Sequence, residues 1–297
     1  MRAAAVRMNE SRKRLRVRVL LVLLLVSPAS FGSLVITIYH NEAIYIGSDS
    51  MATSMATGKQ VDSVQKIFQF STNACAAITG FAMLKVGGLP GKPEYSLNVA
   101  KALERLCERE LPKSDSVERK ITLIAEDLNL RCKVFFDDPA IKLPGALESE
   151  RTRIQFAGYD PEKRRFFQKS LVLGAGEELQ FDVAQEFGEK KGEVVSLQGE
   201  ARFLKDLISR KDRVLWRLVS PEFARTADKL AGSTIVPAHL VKDYMLELFY
   251  LHRRYAANLS EDKGLIAPPY RVFKITKNKV TQLTDDPPTS RIQRKVN

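Results

Sequence analysis

The sequence predicts an α+β fold, a four-layer αββα sandwich of two antiparallel sheets, and three observations predict it. Short β-branched runs occur near the start, in the middle and near the end of the chain, with helical spacing between them. The runs come in pairs joined by brief turn signals, as antiparallel hairpins do. No βαβ unit repeats, although a parallel sheet would need one.

The elements follow in chain order. Residues 34–39 and 43–48 are two such runs around His40-Asn41-Glu42, which predicts a hairpin. Residues 64–70 and 74–79 form a second pair around Ser71-Thr72-Asn73. Helical periodicity then takes over: Val99, Leu103 and Leu106 share one face of 96–111, and Val117, Ile121, Ile124 and Leu128 share one face of 115–131. Asp115 followed by Glu118 predicts a capping pair at the second helix start. Pro112 separates the two helices and Asp137-Asp138-Pro139 ends them. Strand character returns at 153–159 and 166–173, with Asp160-Pro161 as the turn between them. A run at 193–197 leads through Gly199 into a helix over 200–209. The late helix, over 237–258, places Leu240, Tyr244, Leu248, Leu251 and Tyr255 on one stripe. Strands at 270–275 and 280–283 close the domain, and the polar tail 284–297 is expected to be disordered.

The first 32 residues are organised differently. A basic stretch at 12–18 precedes an apolar run at 19–26 and then the small residues of Ser27-Pro28-Ala29-Ser30-Phe31-Gly32. That order is the anatomy of a secretory signal, and the apolar run is short for a bilayer span. Export is the expectation, to a secreted or periplasmic location. Cleavage after Ala29 and cleavage after Gly32 both stay open. The alternatives are a chain anchored in the membrane by residues 19–26 and a start at Met8. The organisation is therefore a leader at 1–32, one domain at 33–283 and a tail at 284–297.

Removing the seven basic and one acidic residues of the leader lowers the net charge from +12 to +6. The remaining charge is scattered, so nucleic acid is not an expected partner. Cys75, Cys107 and Cys132 are too few and too irregularly spaced for a disulfide framework. Cys107 and Cys132 either pair in an oxidising compartment or remain buried thiols. His40, His239 and His252 share no ligand spacing, so no metal is implied.

The stretch from Ser33 to Ala82 carries the chemistry. Ser33, Asp49, Lys66 and Gly80 stand in it, separated by 16, 17 and 14 residues, with strand-like apolar runs in register around them. Asp49-Ser50, Val64-Gln65-Lys66-Ile67 and Thr79-Gly80-Phe81 resemble the first third of a proteasome β-subunit, and of the bacterial relative that forms a two-ring ATP-dependent protease. The first and last separations equal those expected of that family, and the middle one is a residue longer. The likeness covers residues 33–82, about one sixth of the chain.

What the resemblance implies is an N-terminal-nucleophile (Ntn) hydrolase, whose mechanism requires no cofactor. Ser33, once it is the first residue, would attack an amide or peptide carbonyl, with its own α-amine as the base. A free α-amine titrates at roughly 7.7 to 8.0, so a useful fraction of it is unprotonated at neutrality and a nearby cation would raise that fraction. Lys66 would be the cation beside the hydroxyl and Asp49 the carboxylate holding Lys66. Gly80 would offer its N–H to the oxyanion, a donor commonly worth roughly 2.7 to 4 kcal/mol. The late supporting aspartate of the family best matches Asp262, with Glu261 in contention.

The chain departs from the family in places. Met51 stands where an arginine is usual, Gln198 falls where a serine is expected, and no Ser-Gly-Gly follows Asp262. Residues 85–93 form an expected loop at the rim of the site, which is not a P-loop because it lacks the glycine spacing and the hydroxyl after the lysine. Residues 174–192 and 210–236 read as expansions. The two functional expectations are an exported Ntn hydrolase acting through a Ser33 acyl-enzyme and a non-catalytic assembly or binding subunit of the same fold. A peptide or amide substrate belongs to the first, a homo-oligomer is open in both, and a membrane partner enters only with an uncleaved leader.

Overall fold

Residues 34–38 include Leu34, Val35, Ile36 and Ile38, and a strand sends successive side chains to opposite faces, so such a strand must be covered on both sides. The computed structural model shows the two covers. It describes residues 33–50, 52–53, 60–61, 64–80, 82–87, 94–138, 152–173, 180–187, 194–199, 202–209, 216–217, 219–232, 235–256, 266 and 268–284. In chain order the strands are β1 (Leu34–His40), β2 (Ala43–Ser48), β3 (Ala52–Thr53), β4 (Gln60–Val61), β5 (Ile67–Ser71), β6 (Ala74–Thr79), β7 (Met83–Gly87) and β8 (Glu94–Asn98). They continue with β9 (Thr152–Asp160), β10 (Arg165–Leu173), β11 (Gln180–Phe187), β12 (Val194–Gly199), β13 (Arg271–Ile275) and β14 (Val280–Gln282). The helices are α1 (Val99–Arg105), α2 (Val117–Phe136), α3 (Arg202–Ile208), α4 (Pro221–Ala231) and α5 (Ala238–Leu251). Widened π turns, Leu106–Glu110 and His252–Ala256, extend α1 and α5.

Two five-stranded sheets result. One runs β12-β1-β2-β13-β14 and the other β11-β10-β9-β6-β5, every pairing antiparallel. Small ribbons, β3-β4 and β7-β8, sit apart from them. Leu34, Ile36 and Ile38 pack beneath α3, α4 and α5 with Leu204, Phe223, Met245 and Phe249. Val35, from the other face of β1, meets Ile67, Ala77, Ala157 and Phe166 of the second sheet. The outer face of that second sheet carries Phe68, Ile78, Phe156 and Leu171 against Leu103, Ile121, Ile124 and Leu128 of α1 and α2. Helices, sheet, sheet, helices is the expected αββα order.

Local chemistry sets the boundaries. The β1–β2 hairpin closes at Asn41 and Glu42, both with positive φ (49° and 53°), the left-handed pair that a two-residue hairpin turn of matching twist requires. Ser116, not Asp115, caps α2 by accepting from the Arg119 amide at 3.2 Å. Glu118 turns instead to Lys169 and Lys163 and ties the helix to the second sheet. Ser220 caps α4 with Pro221 in its first turn, where a missing N–H costs nothing.

Several expected boundaries move. Residues 96–98 belong to β8 rather than to a helix, because β7 offers them a partner strand. By the same pairing, 85–87 are strand and not loop, while 88–93 lie outside the described residues. The segment 174–192 contains β11, and 210–236 contains α4. On α5 the buried face is Val241, Tyr244, Met245, Leu248, Phe249 and Leu251, with Leu240 only partly buried at its edge. Tyr255 falls in the π turn, where the 3.6-residue spacing no longer holds. The tail beyond 284 and the leader lie outside the described residues. Among the described residues, no helix is long and apolar enough to cross a membrane.

Candidate active site

Alternation along β1 decides where Ser33 looks. Leu34 points to the helices, so Ser33, like Val35, faces the second sheet. Its hydroxyl donates to the Ile78 carbonyl on β6 at 3.5 Å. Lys66 stands just before β5, on the strand beside β6, where its carbonyl accepts from the Ile78 amide at 2.9 Å. That bond carries the Lys66 side chain into the space between the sheet ends. Its ammonium donates to Ser33 Oγ at 3.0 Å and to both oxygens of Asp49 at 3.0 Å.

Asp49 follows β2, next to the start of β1. Its Oδ1 also accepts from the Leu34 amide at 2.9 Å, and its own amide donates to the Leu34 carbonyl at 3.4 Å. One carboxylate therefore fixes both the lysine and the peptide that follows the serine. Ser33, Asp49 and Lys66 are all buried, at 2%, 0% and 2% exposure. Burying a charge pair is costly unless it is tightly bonded, and an apolar pair would serve stability as well. A lysine ammonium 3.0 Å from the Ser33 hydroxyl favours an oxygen that gains negative charge.

Gly80 lies two residues beyond the Ile78 that meets Ser33. Its φ of 84° is a conformation that side chains with a Cβ resist, which accounts for glycine at that turn out of β6. Lys66 is thus in direct contact with both Ser33 and Asp49, and Gly80 lies two residues along the chain from Ile78, which bonds to Ser33 and Lys66. Asp262 and Glu261 lie outside the described residues. Gln198 pairs with Val35 and Gly199 with Leu34 in the β1–β12 ladder, so the end of β12 lies beside the start of β1 and Ser33.

Some participants escape sequence reasoning. The Leu34 amide and the Ile78 carbonyl are backbone groups with no signature of their own. Ser50 donates its hydroxyl to the carbonyl of Pro269, more than two hundred residues away, and only the β2–β13 pairing brings them together. The three cysteines are free thiols, and burial pushes all three up, Cys107 and Cys132 to about 12. They are poor nucleophiles in that state. Among the described residues, no group of three or more His, Cys, Asp or Glu stands together as a metal site.

No protein-family model matches the chain, and no curated protein matches it in sequence. Among solved structures, Anbu (ancestral beta-subunit) from Yersinia bercovieri is similar at 11% identity and a TM-score of 0.43, over 86% of this chain and 88% of that chain. The chemistry of the site therefore stands on its own contacts.

Proposed function

We propose that the chain is an exported N-terminal-nucleophile hydrolase that cleaves an amide or peptide bond through a Ser33 acyl-enzyme. The observation that carries this reading is the buried contact set of Lys66, 3.0 Å from Ser33 Oγ and 3.0 Å from each oxygen of Asp49. A serine hydroxyl is a weak nucleophile until a base takes its proton and a cation steadies the developing charge. Lys66 supplies the cation. Asp49 holds Lys66 in place through both of its oxygens.

The base is the Ser33 nitrogen, which is an amide while Gly32 is attached and an amine once it is removed. Leader cleavage at the Gly32–Ser33 bond thus creates both the mature end and the base. In the reaction, Ser33 Oγ bonds to the substrate carbonyl carbon as its proton passes to the α-amine. The C–N bond then breaks and the leaving amine takes that proton. Water attacks the ester by the same route and releases the acid. The Gly80 N–H is the proposed donor to the oxyanion in both steps.

Mass spectrometry of the mature N-terminus and labelling by an electrophilic β-lactone test the reading together. The expected result is a chain beginning at Ser33, one β-lactone adduct on that residue, and none in Ser33→Ala. A mature chain that keeps residues before Ser33, or a Ser33→Ala protein labelled like the wild type, would sink it.

A further inference from the structure

The Asp49 side of the site is backed by a segment from the far end of the chain. In the β2–β13 ladder Arg271 lies opposite Ser48, so the next antiparallel positions set Tyr270 opposite Asp49 and Pro269 opposite Ser50. The Ser50 hydroxyl bonded to the Pro269 carbonyl shows that the two segments stay side by side beyond the ladder. Tyr270 is 5% exposed. Its ring lies flat on Phe249 of α5, centroids 4.8 Å and planes 7° apart, and meets Tyr250 edge-on at 5.3 Å. Phe249 also backs the end of β2, because a Cβ at Gly47 would come within 3.2 Å of its ring. Helix, aromatic stack and strand end are one packed unit.

The groups facing the phenol are Arg253 from the π turn after α5, Tyr250 on α5, and Asp49. Burial pushes the phenol well above its ordinary range; the Arg253 guanidinium opposes that, while Tyr250 and the Asp49 carboxylate add to it. The phenol is neutral throughout the working range of an α-amine base. Tyr270 and Asp49 are thus neighbours at the end of the β2–β13 pairing.

We propose that Tyr270 is a positioning residue for the Ser33 site. It closes the Asp49 side to water and holds the end of β2, so that the carboxylate keeps both oxygens on Lys66 and one on the Leu34 amide. The proposal rests on the Ser33 reading above. A carboxylate free to rotate or hydrate would lose one of those partners, and with it the aim of Lys66 at Ser33 Oγ. Positioning errors of about an ångström cost up to about 100-fold in rate.

The test uses the full processed protein with Tyr270→Phe, Tyr270→Leu and Tyr270→Ala. Amide hydrogen exchange is read at Leu34, with Ile36 and Val272 as internal controls, alongside the saturable kinetics of Ser33 acylation by a β-lactone. Tyr270→Phe is expected to match the wild type in both. Tyr270→Ala is expected to speed Leu34 exchange about 10-fold or more with Ile36 and Val272 unchanged. It should also slow the maximal acylation rate about 10- to 100-fold at unchanged probe affinity. If Tyr270→Ala fails to fold, Tyr270→Leu, which keeps apolar bulk without the flat stack, decides by the same readouts. Wild-type exchange and acylation in the folded variants would overturn the proposal, as would equal loosening of Leu34, Ile36 and Val272. Selective loosening of Leu34 in a protein whose Ser33 is never acylated would uphold the positioning of Asp49 and sink the nucleophile reading alone.

Discussion

The two helix–sheet interfaces and the interface between the sheets are built to different rules. Outside, aliphatic and aromatic side chains fill the contact of α1 and α2 with the second sheet and of α3, α4 and α5 with the first. Inside, the apolar cluster is smaller and shares the space with polar groups. Gln155 donates to Thr37 at 2.6 Å and Gln168 to Ser196 at 2.8 Å, each bond crossing from one sheet to the other. At one end of this layer lie Ser33, Lys66 and Asp49. Buried polar groups cost free energy unless each is matched. The difference teaches that apolar outer layers can supply the stability that a polar inner layer does not.

The largest break in that contrast is expected from the ion pair. Lys66→Ala leaves Asp49 buried without its cation, and a loss of about 3 to 5 kcal/mol is expected in urea unfolding, together with all β-lactone labelling of Ser33. Asp49→Leu combined with Lys66→Met replaces charge by packing. Unfolding should show most of the stability restored, while labelling stays absent. A double variant as unstable as the single one would show that the pair serves stability after all.

Acid should strike the helix side next. His252, in the π turn after α5, is buried, and burial lowers its pKa from about 6.5 to about 4. The fold therefore favours the neutral imidazole. Its contribution is present in full above the unfolded value near 6.5 and is lost as pH falls toward about 4, on the order of 3 kcal/mol in all. Thermal unfolding of His252→Gln should show a shallower fall between those pH values than the wild type does. Parallel pH profiles would assign the acid sensitivity to other groups.

The smallest effect is expected between the sheets. Thr37→Val strands a buried Gln155 amide and should cost about 1 to 3 kcal/mol. Adding Gln155→Leu removes both partners and should bring the unfolding midpoint back to within about 1 kcal/mol of the wild type. A double variant worse than the single would mean that the crossing bond is needed to align the sheets.

The layered order was legible because it depends on alternation and periodicity, which are local. Val99, Leu103 and Leu106, and likewise Val117, Ile121, Ile124 and Leu128, are buried as their spacing predicts. Boundaries were less legible wherever a partner strand decided them, as at 96–98, or where a π turn shifted the spacing, as after Leu251. On α5 the spacing found the correct helix, but the buried face centres on Val241 and Met245 rather than on Leu240. Gly158 shows the same limit. A Cβ there would lie 2.5 Å from that of Ala74, a conflict that exists only because β6 and β9 pair at those two residues.

By itself the sequence singled out a serine, an aspartate, a lysine and a glycine at set separations as candidates for chemistry. It also determined on which face of β1 each side chain falls, since alternation is a property of the extended chain. Only the tertiary structure decided that Lys66 is aimed at both Ser33 and Asp49, because that requires the ends of two different sheets to meet. Only it placed Tyr270 opposite Asp49, through a strand pairing between positions 221 residues apart. Residue types are written in the chain, but distances between remote positions are set by how the layers pack.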